Sequence, residues 1–284
     1  MKTTLIILTY NDGERTYGLV SKIYGYEAID SIVLVNNAST DDTLSLLEKA
    51  RLLAPKKIHV ISSPENGGYA KGNNFGAVYA LKNLDPDLLF FANPDTFFTE
   101  ETVTAMKDAL SGSGEYGAIA PLVNKGFNVW PVPGFAGILE SLFLIIFNIH
   151  KRAVKKRLLS SGRALEYAGV VEGSFFAIKA GAYKKIKGLD ERTFIYGEEI
   201  MLARRLEKAG LKVGVLTGYF YDHLHSASIK KLSGGSKAAV FHHFRDSFRI
   251  YNKYYLHTNA LQDAVFEAAY LAAYIERRIY DLFR

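Results

Sequence analysis

The 284-residue chain contains no cysteine. Disulfides, thiolate zinc centres and cysteine nucleophiles are thereby excluded, while the compartment is only weakly constrained. No Gly-x-Gly-x-x-Gly fingerprint follows the first strand-like stretch, where Thr9-Tyr10-Asn11-Asp12-Gly13 stands instead. Neither a Gly-x-x-x-x-Gly-Lys-Ser/Thr loop nor a Gly-x-Ser-x-Gly elbow occurs anywhere. A classical dinucleotide fold, a P-loop ATPase and an elbow-type serine hydrolase are set aside on those grounds. The apolar stretch 137–147 is broken by Glu140 and falls short of the roughly 20 residues that span a bilayer. Met1-Lys2-Thr3-Thr4 runs directly into Leu5-Ile6-Ile7-Leu8 with no signal-peptide pattern, so a cytoplasmic location is expected.

What is present suits a globular α/β protein. Hydrophobic residues make up 49% and charged residues 23%, enough for one large domain, or a domain with an appendage, and a substantial core. The net charge of +6 is unevenly placed, with five Lys or Arg in the eight residues 150–157. An apolar stretch followed by a basic cluster suits a segment lying in the interface of an anionic membrane. A buried helix followed by a solvated basic turn explains it equally well. The basic residues are not interleaved with stacking aromatics, so nucleic acid is not expected as a partner.

Strand and helix patterns alternate through the first half. Strands are expected at 5–9, 31–35, 57–61 and 88–91, and helices at 14–24, 41–51 and 69–81. This order predicts a doubly wound parallel sheet. A polar cluster follows each strand: Tyr10-Asn11-Asp12, then 36–41, then 63–68, then Asn93-Pro94-Asp95. In a parallel sheet all four meet at one edge, the ordinary ligand site of such folds. Pro94 ends the fourth strand abruptly and leaves Asp95 where a buried strand meets solvent. A lone carboxylate there suits a metal ion that carries phosphates, although Asn-Pro-Asp-Thr also suits a plain turn. The glycine-rich 68–76 opens a helix, so its amides and Lys71 are placed to face an anion, or its glycines serve close helix packing.

Taken together, Thr9-Tyr10-Asn11, Asn36-Asn37-Ala38-Ser39-Thr40-Asp41, Asn66-Gly67-Gly68-Tyr69-Ala70-Lys71-Gly72-Asn73-Asn74 and Asn93-Pro94-Asp95-Thr96 resemble the successive motifs of family-2 glycosyltransferases, in particular the bacterial rhamnosyltransferase-like subset. Val171-Glu172-Gly173-Ser174-Phe175 resembles that family's acceptor-side strand. Phe194-Ile195-Tyr196-Gly197-Glu198-Glu199 resembles its acidic signature. The similarity runs in consistent order over roughly residues 3–255.

The resemblance implies a GT-A fold, a mostly parallel sheet flanked by helices, with a catalytic domain over 1–240 and a helical extension over 241–284. Residues 1–100 would bind the nucleotide sugar and 101–240 the acceptor. It implies inverting transfer of a sugar, possibly rhamnose, from a dTDP- or UDP-linked donor to a glycan or lipid-linked acceptor at the inner face of the plasma membrane, with Mg²⁺ or Mn²⁺ as cofactor. Thr9, Tyr10, Asn11, Asn36, Ser39, Lys71, Asn74, Asn93 and Asp95 would contact the donor. Asp95 and His223 would meet the metal, and Glu199, with Glu198 as its substitute, would be the base. Acids at a helix start are also favoured by the macrodipole alone. Gly173 and Ser174 would meet the acceptor; Trp130, with Phe127, suits stacking on an acceptor sugar face and equally a place in the core. His223 is followed five residues later by Ser228, a spacing the family shares, with His225 a second candidate and 229–237 a lid or a solvated loop.

Asn36, Asn93 and Met201 stand where relatives carry acids, which leaves a catalytically inactive sugar-nucleotide-binding scaffold as an alternative. A nucleotidyltransferase of related fold is a second alternative, disfavoured because the basic glycine-rich loop near the first strand is missing. At the carboxyl end, Val265, Ala268, Ala269, Ala272, Ile275, Ile279 and Leu282 form a helical stripe with Arg277 and Arg278 opposite. That stripe is expected to pack internally, pair a homodimer or lie on a membrane.

Overall fold

The computed structural model describes residues 1–224 and 237–282. His225, Ser228 and the 229–236 part of the expected lid lie outside the described residues. The first half runs β1 (Thr3–Thr9), α1 (Gly13–Ile23), β2 (Ser31–Asn36), α2 (Thr43–Arg51), β3 (Ile58–Ser62), α3 (Gly68–Asn83) and β4 (Leu88–Ala92). These four strands are parallel in the order β3-β2-β1-β4. Each helix crosses back over the sheet, so every strand ends at the same edge. Strands β1, β2 and β4 are buried almost throughout, which is why they read as continuous apolar runs.

The second half turns the expected parallel sheet into a mixed one. It comprises β5 (Thr96–Phe97), α4 (Glu100–Gly112), β6 (Tyr116–Val123), β7 (Val129–Trp130), α5 (Phe135–Leu142), α6 (Leu144–Ser160), β8 (Leu165–Tyr167), β9 (Val170–Val171), β10 (Phe175–Lys179), α7 (Ala180–Lys185), α8 (Glu198–Lys208) and β11 (Lys212–His223). Strand β10 lies antiparallel between β4 and β6. The chain reaches it from β9 at the ligand edge and therefore runs back down the sheet. Glu172-Gly173-Ser174 is thus delivered beside the Asn-Pro-Asp turn, where the Asn93 amide donates to the Ser174 carbonyl at 2.8 Å.

Side chains alternate to the two faces of the sheet. Leu5, Ile7, Leu34 and Phe90 pack with α1, α2 and α4, while Ile6, Val33, Val35 and Phe91 pack on the face covered by α3 and α8. Each such buried side chain contributes about 1.5–3 kcal/mol. The extension, α9 (Lys237–Tyr251) and α10 (Ala260–Leu282) joined through a π-helical turn at Asn252–Leu256, adds Phe241, Phe248, Tyr251, Phe266 and Tyr270 to the same core.

One expectation is corrected and another is narrowed. The basic cluster 150–157 is neither a turn nor the end of a buried helix; it lies within α6, whose Ile145 and Ile149 are 68% and 59% exposed. In α10 the packed face is Phe266, Tyr270, Ala273 and Arg277, whereas Val265, Ile275, Ile279 and Leu282 of the expected stripe are exposed. Arg277 is buried because its guanidinium lies 3.5 Å from the centre of the Phe241 ring and donates to the carbonyls of Leu142 and Ala273. No helix among the described residues is long and apolar enough to cross a membrane.

Candidate active site

The converging strand ends enclose a cavity of about 270 Å³. Tyr10, Asn93 and Asp95 reach it from the ends of β1 and β4, Glu172, Gly173 and Ser174 from the β9–β10 connection, Glu198 and Glu199 from the start of α8, and His223 from the end of β11. His223 is the clasp between the two sides. Its Nε2 lies 3.2 Å from Asp95 Oδ1 and its Nδ1 3.4 Å from Glu172 Oε1. Burial opposes charge on the imidazole, but the two carboxylates outweigh it and push the pKa up to about 9. Burial likewise disfavours the Asp95 carboxylate, yet hydrogen bonding to His223 holds it below its ordinary value.

The acidic pair begins where the backbone turns sharply. Tyr196 and Gly197 both adopt positive φ, 69° and 82°, immediately before α8. Glu198 is 5% exposed, and its Oε2 is buried with no hydrogen-bond partner among the described residues. Burial, then the neighbouring Glu199 charge, pushes its pKa well up. Glu199 is also pushed up, by burial and by the charge of Glu172, while its Oε1 accepts from the Gly173 amide at 3.4 Å. Burial thus raises the pKa of both acids, so each holds a proton more readily than an exposed glutamate does.

A second and larger cavity, about 590 Å³, adjoins the first. Its walls come from 127–154 and from Phe244 and Phe248 of α9, and it shares Glu172, Tyr196 and Glu199 with the smaller cavity. Glu199 thus faces both spaces, whereas Glu198 faces only the smaller. Trp130 lies in the larger one, with Lys151 Nζ 4.1 Å from its ring centre.

A family profile described as glycosyl transferase family 2 matches residues 4–160. The chain belongs to this family. A low-salt glycan biosynthesis hexosyltransferase from Haloferax volcanii, Agl10, is 26% identical over 247 residues, covering 86% of this chain and 74% of its own. An N-acetylglucosaminyl-diphospho-decaprenol L-rhamnosyltransferase from Mycobacterium tuberculosis is 25% identical over 226 residues, with 72% and 70% covered. Among solved structures, the mannosyltransferase PcManGT from Pyrobaculum calidifontis, in complex with GDP-Man and Mn²⁺, matches with a TM-score of 0.59 at 16% identity over 96% of this chain and 72% of that one. The mixed sheet flanked by helices is accordingly the GT-A fold.

The transferase does not gather every expected residue into the cavity. Thr9 is fully buried, its hydroxyl 2.9 Å from that of Thr16. Asn36, Ser39 and Asn11 tie two loops together: Asn36 Oδ1 accepts from the Ser39 amide at 3.0 Å, and Ser39 Oγ accepts from the Asn11 amide at 3.1 Å. Lys71 is exposed and paired with Glu65. Asn74 is a buried staple whose side chain bonds both backbone groups of Leu189, at 2.9 and 3.0 Å. Asp12, Asn37 and Asn66, from the strand-end clusters expected at this edge but given no individual role, line the cavity, as does Glu172. Asn37 donates to Asn66 Oδ1 at 2.8 Å. The available signal for Glu172 was its place as the one charged residue in Val170-Val171-Glu172-Gly173-Ser174.

Proposed function

We propose that this chain is an inverting hexosyltransferase that moves a sugar from a nucleotide-diphosphate donor in the smaller cavity to a glycan acceptor in the larger. The observation that carries the reading is the position of Glu199 in the wall common to both cavities. A hydroxyl presented from the acceptor side meets its carboxylate there, and a base in that place takes the hydroxyl proton as oxygen attacks the anomeric carbon. Attack from the acceptor side, opposite the diphosphate, inverts the configuration.

The residues present fit a divalent cation that arrives with the donor. Asp95 offers one carboxylate at a strand end, His223 lies beside it, and no group of three or more metal-binding side chains occurs among the described residues. Mg²⁺ and Mn²⁺ favour such sites, with one or two protein oxygens completed by substrate phosphates. Bound there, the cation would offset the negative charge developing on the departing diphosphate. PcManGT with GDP-Man and Mn²⁺ supports this reading of the fold, and the mycobacterial relative supports rhamnose and a lipid-diphosphate-linked acceptor. The exposed Ile145, Ile146 and Ile149 on the basic helix α6 support peripheral membrane contact.

Turnover of a panel of dTDP-, UDP- and GDP-sugars, with Mn²⁺, Mg²⁺ or chelator, tests the proposal. Metal-dependent release of nucleoside diphosphate from one donor is expected. Binding without release would favour the inactive scaffold, and release of inorganic diphosphate would favour nucleotidyl transfer.

A further inference from the structure

The turn that leads into the acidic pair has a backbone conformation that must be imposed from outside. Tyr196 has φ 69°, and a bulky aromatic residue keeps a left-handed backbone only where its surroundings enforce it. Gly197 follows with φ 82°, and its carbonyl accepts the Met201 amide at 3.2 Å as α8 begins. Whatever holds Tyr196 and Gly197 therefore sets the direction in which Glu198 and Glu199 leave the turn. Two elements distant in sequence grip it. On one side is the start of α3, where the Tyr69 amide donates to the Phe194 carbonyl at 2.9 Å and the Gly68 backbone packs against the same oxygen. On the other is α9. Its Phe244 ring stacks on Tyr196 with centres 4.0 Å apart and planes 13° from parallel. Ser247 Oγ donates to the Ile195 carbonyl at 3.1 Å, and a Cβ on Gly197 would lie 3.0 Å from Ser247 Cβ. Ser247 is buried and lines neither cavity, so its hydroxyl serves the backbone of the turn. Farther along, Tyr251 Oη accepts from Arg204 Nε at 2.8 Å, which fastens α9 to α8 a second time.

We infer that Phe244 and Ser247, on the carboxyl-terminal extension, are positioning residues for sugar transfer, holding the Tyr196–Gly197 turn so that Glu199 faces the wall common to both cavities. The inference rests on the reading of Glu199 as the base. Stack and hydrogen bond act on successive residues of one strained segment, the stack on the Tyr196 ring and the hydroxyl on the Ile195 carbonyl. Loss of either lets the turn relax toward an ordinary backbone and swings the start of α8. A misplacement of about 1 Å at a reacting group slows chemistry by about a hundredfold, while Asp95 and the strand ends β1 to β4 keep their places. The extension is thus a part of the active site, although Ser247 itself touches no substrate.

Two measurements on the full chain supply the test. Amide hydrogen exchange over 194–199 reads the turn without any substrate, and steady-state release of nucleoside diphosphate, with Mn²⁺ and the nucleotide sugar that turns over, reads the chemistry. Ser247→Ala removes the hydrogen bond and keeps the Cβ, Phe244→Leu removes the stack, and Phe244→Tyr keeps it. Phe266→Leu, at a buried residue of α10 that lines neither cavity, supplies a loss of core packing away from the turn. Ser247→Ala and Phe244→Leu should each speed exchange over 194–199 by about tenfold or more. Each should lower kcat by about tenfold to a hundredfold and leave the donor KM within about twofold. Phe244→Tyr should restore both readouts, and Phe266→Leu should leave both within about twofold of the unaltered chain. Unchanged exchange over 194–199 in both variants would overturn the inference, as would faster exchange with an undiminished kcat. An equal loss of kcat in Phe266→Leu would also overturn it, reducing the effect to general stability. Absence of turnover in the unaltered chain would refute the transferase reading, and the exchange series alone would then uphold or overturn the grip of α9 on the turn.

Discussion

His223 Nε2 lies 3.2 Å from Asp95 Oδ1, so the carboxylate proposed to meet the metal is paired with a cationic ring. The pKa of His223 is about 9 in the folded chain against an ordinary 6.5. A group raised on folding stabilises fully below its unfolded value and loses that contribution as pH rises through the folded one. In chelator the melting temperature should therefore fall between about pH 6.5 and 9, by an amount reflecting at most about 3 kcal/mol. His223→Gln should flatten that decline, and a melting series against pH checks it. An equal slope in both proteins would contradict the pairing.

Asp95→Asn keeps the shape of the turn and removes its charge. Nucleoside diphosphate binding in the presence of Mn²⁺ should weaken at least tenfold, while binding in chelator changes little. Titration calorimetry under the two conditions separates loss of the metal contact from loss of the fold.

The two neighbouring acids of α8 should behave differently. Glu199→Gln is expected to lower kcat by about 10²–10⁴-fold with donor affinity kept, the usual range for loss of a general base. Glu198 is pushed well up by burial, so an uncharged amide closely imitates its protonated form. Glu198→Gln should retain activity to within about tenfold. Steady-state kinetics with the donor identified by turnover decides the matter, and reversed effects would transfer the base to Glu198.

Gly68 has φ +80°, and a Cβ on it would lie 2.1 Å from the Phe194 carbonyl oxygen. Neither strain nor clash is relieved by a side-chain movement, so Gly68→Ala should cost at least about 2 kcal/mol. Gly18, also helical, has nothing within 4 Å of its would-be Cβ. Gly18→Ala should be neutral or stabilising by up to about 1 kcal/mol. Denaturant midpoints of the pair measure the contrast.

Asn74→Ala should separate staple from substrate contact. Its amide bonds Leu189 twice and Glu191 once, at 2.7 Å, so truncation leaves buried backbone groups unpaired at about 2–4 kcal/mol. The donor KM should stay within about twofold, since hydrogen-bond loss remote from a ligand leaves its binding intact.

Strands β1, β2 and β4 were legible to within two residues because sheets covered on both faces select unbroken apolar runs. The direction of β10 was not, since Phe175-Phe176-Ala177-Ile178 is equally apolar whichever way it runs. Which face of α10 packs against the core was not legible either, for a related reason. Both faces of that helix are apolar, and periodicity alone does not say which one meets the core; Arg277 looked like a solvent marker until Phe241 supplied a ring to lie on. At the site, Asp95, Glu198, Glu199 and His223 were legible and do share one cavity. Asn74 and Lys71 come from the same glycine-rich string, but its helix carries them out of reach as soon as it leaves Gly68 and Tyr69. Lys151 was read only as part of a charge cluster, because nothing in local spacing distinguishes Lys151 and Lys155, which turn inward, from their exposed neighbours.

The segment from Trp130 to Ser160, including α5 and α6, leaves the main sheet after β6 and returns to it at β8. It walls the larger cavity and contributes nothing to the smaller. Ile138, Leu142 and Leu158 anchor it in the core, but none of β1 to β4 pairs with it, so a change in the wall it presents to the cavity leaves their register intact. On the proposed reading, choice of acceptor and choice of donor fall in separate stretches of chain, and a graft of this segment onto another member of the family should carry the one preference without disturbing the other.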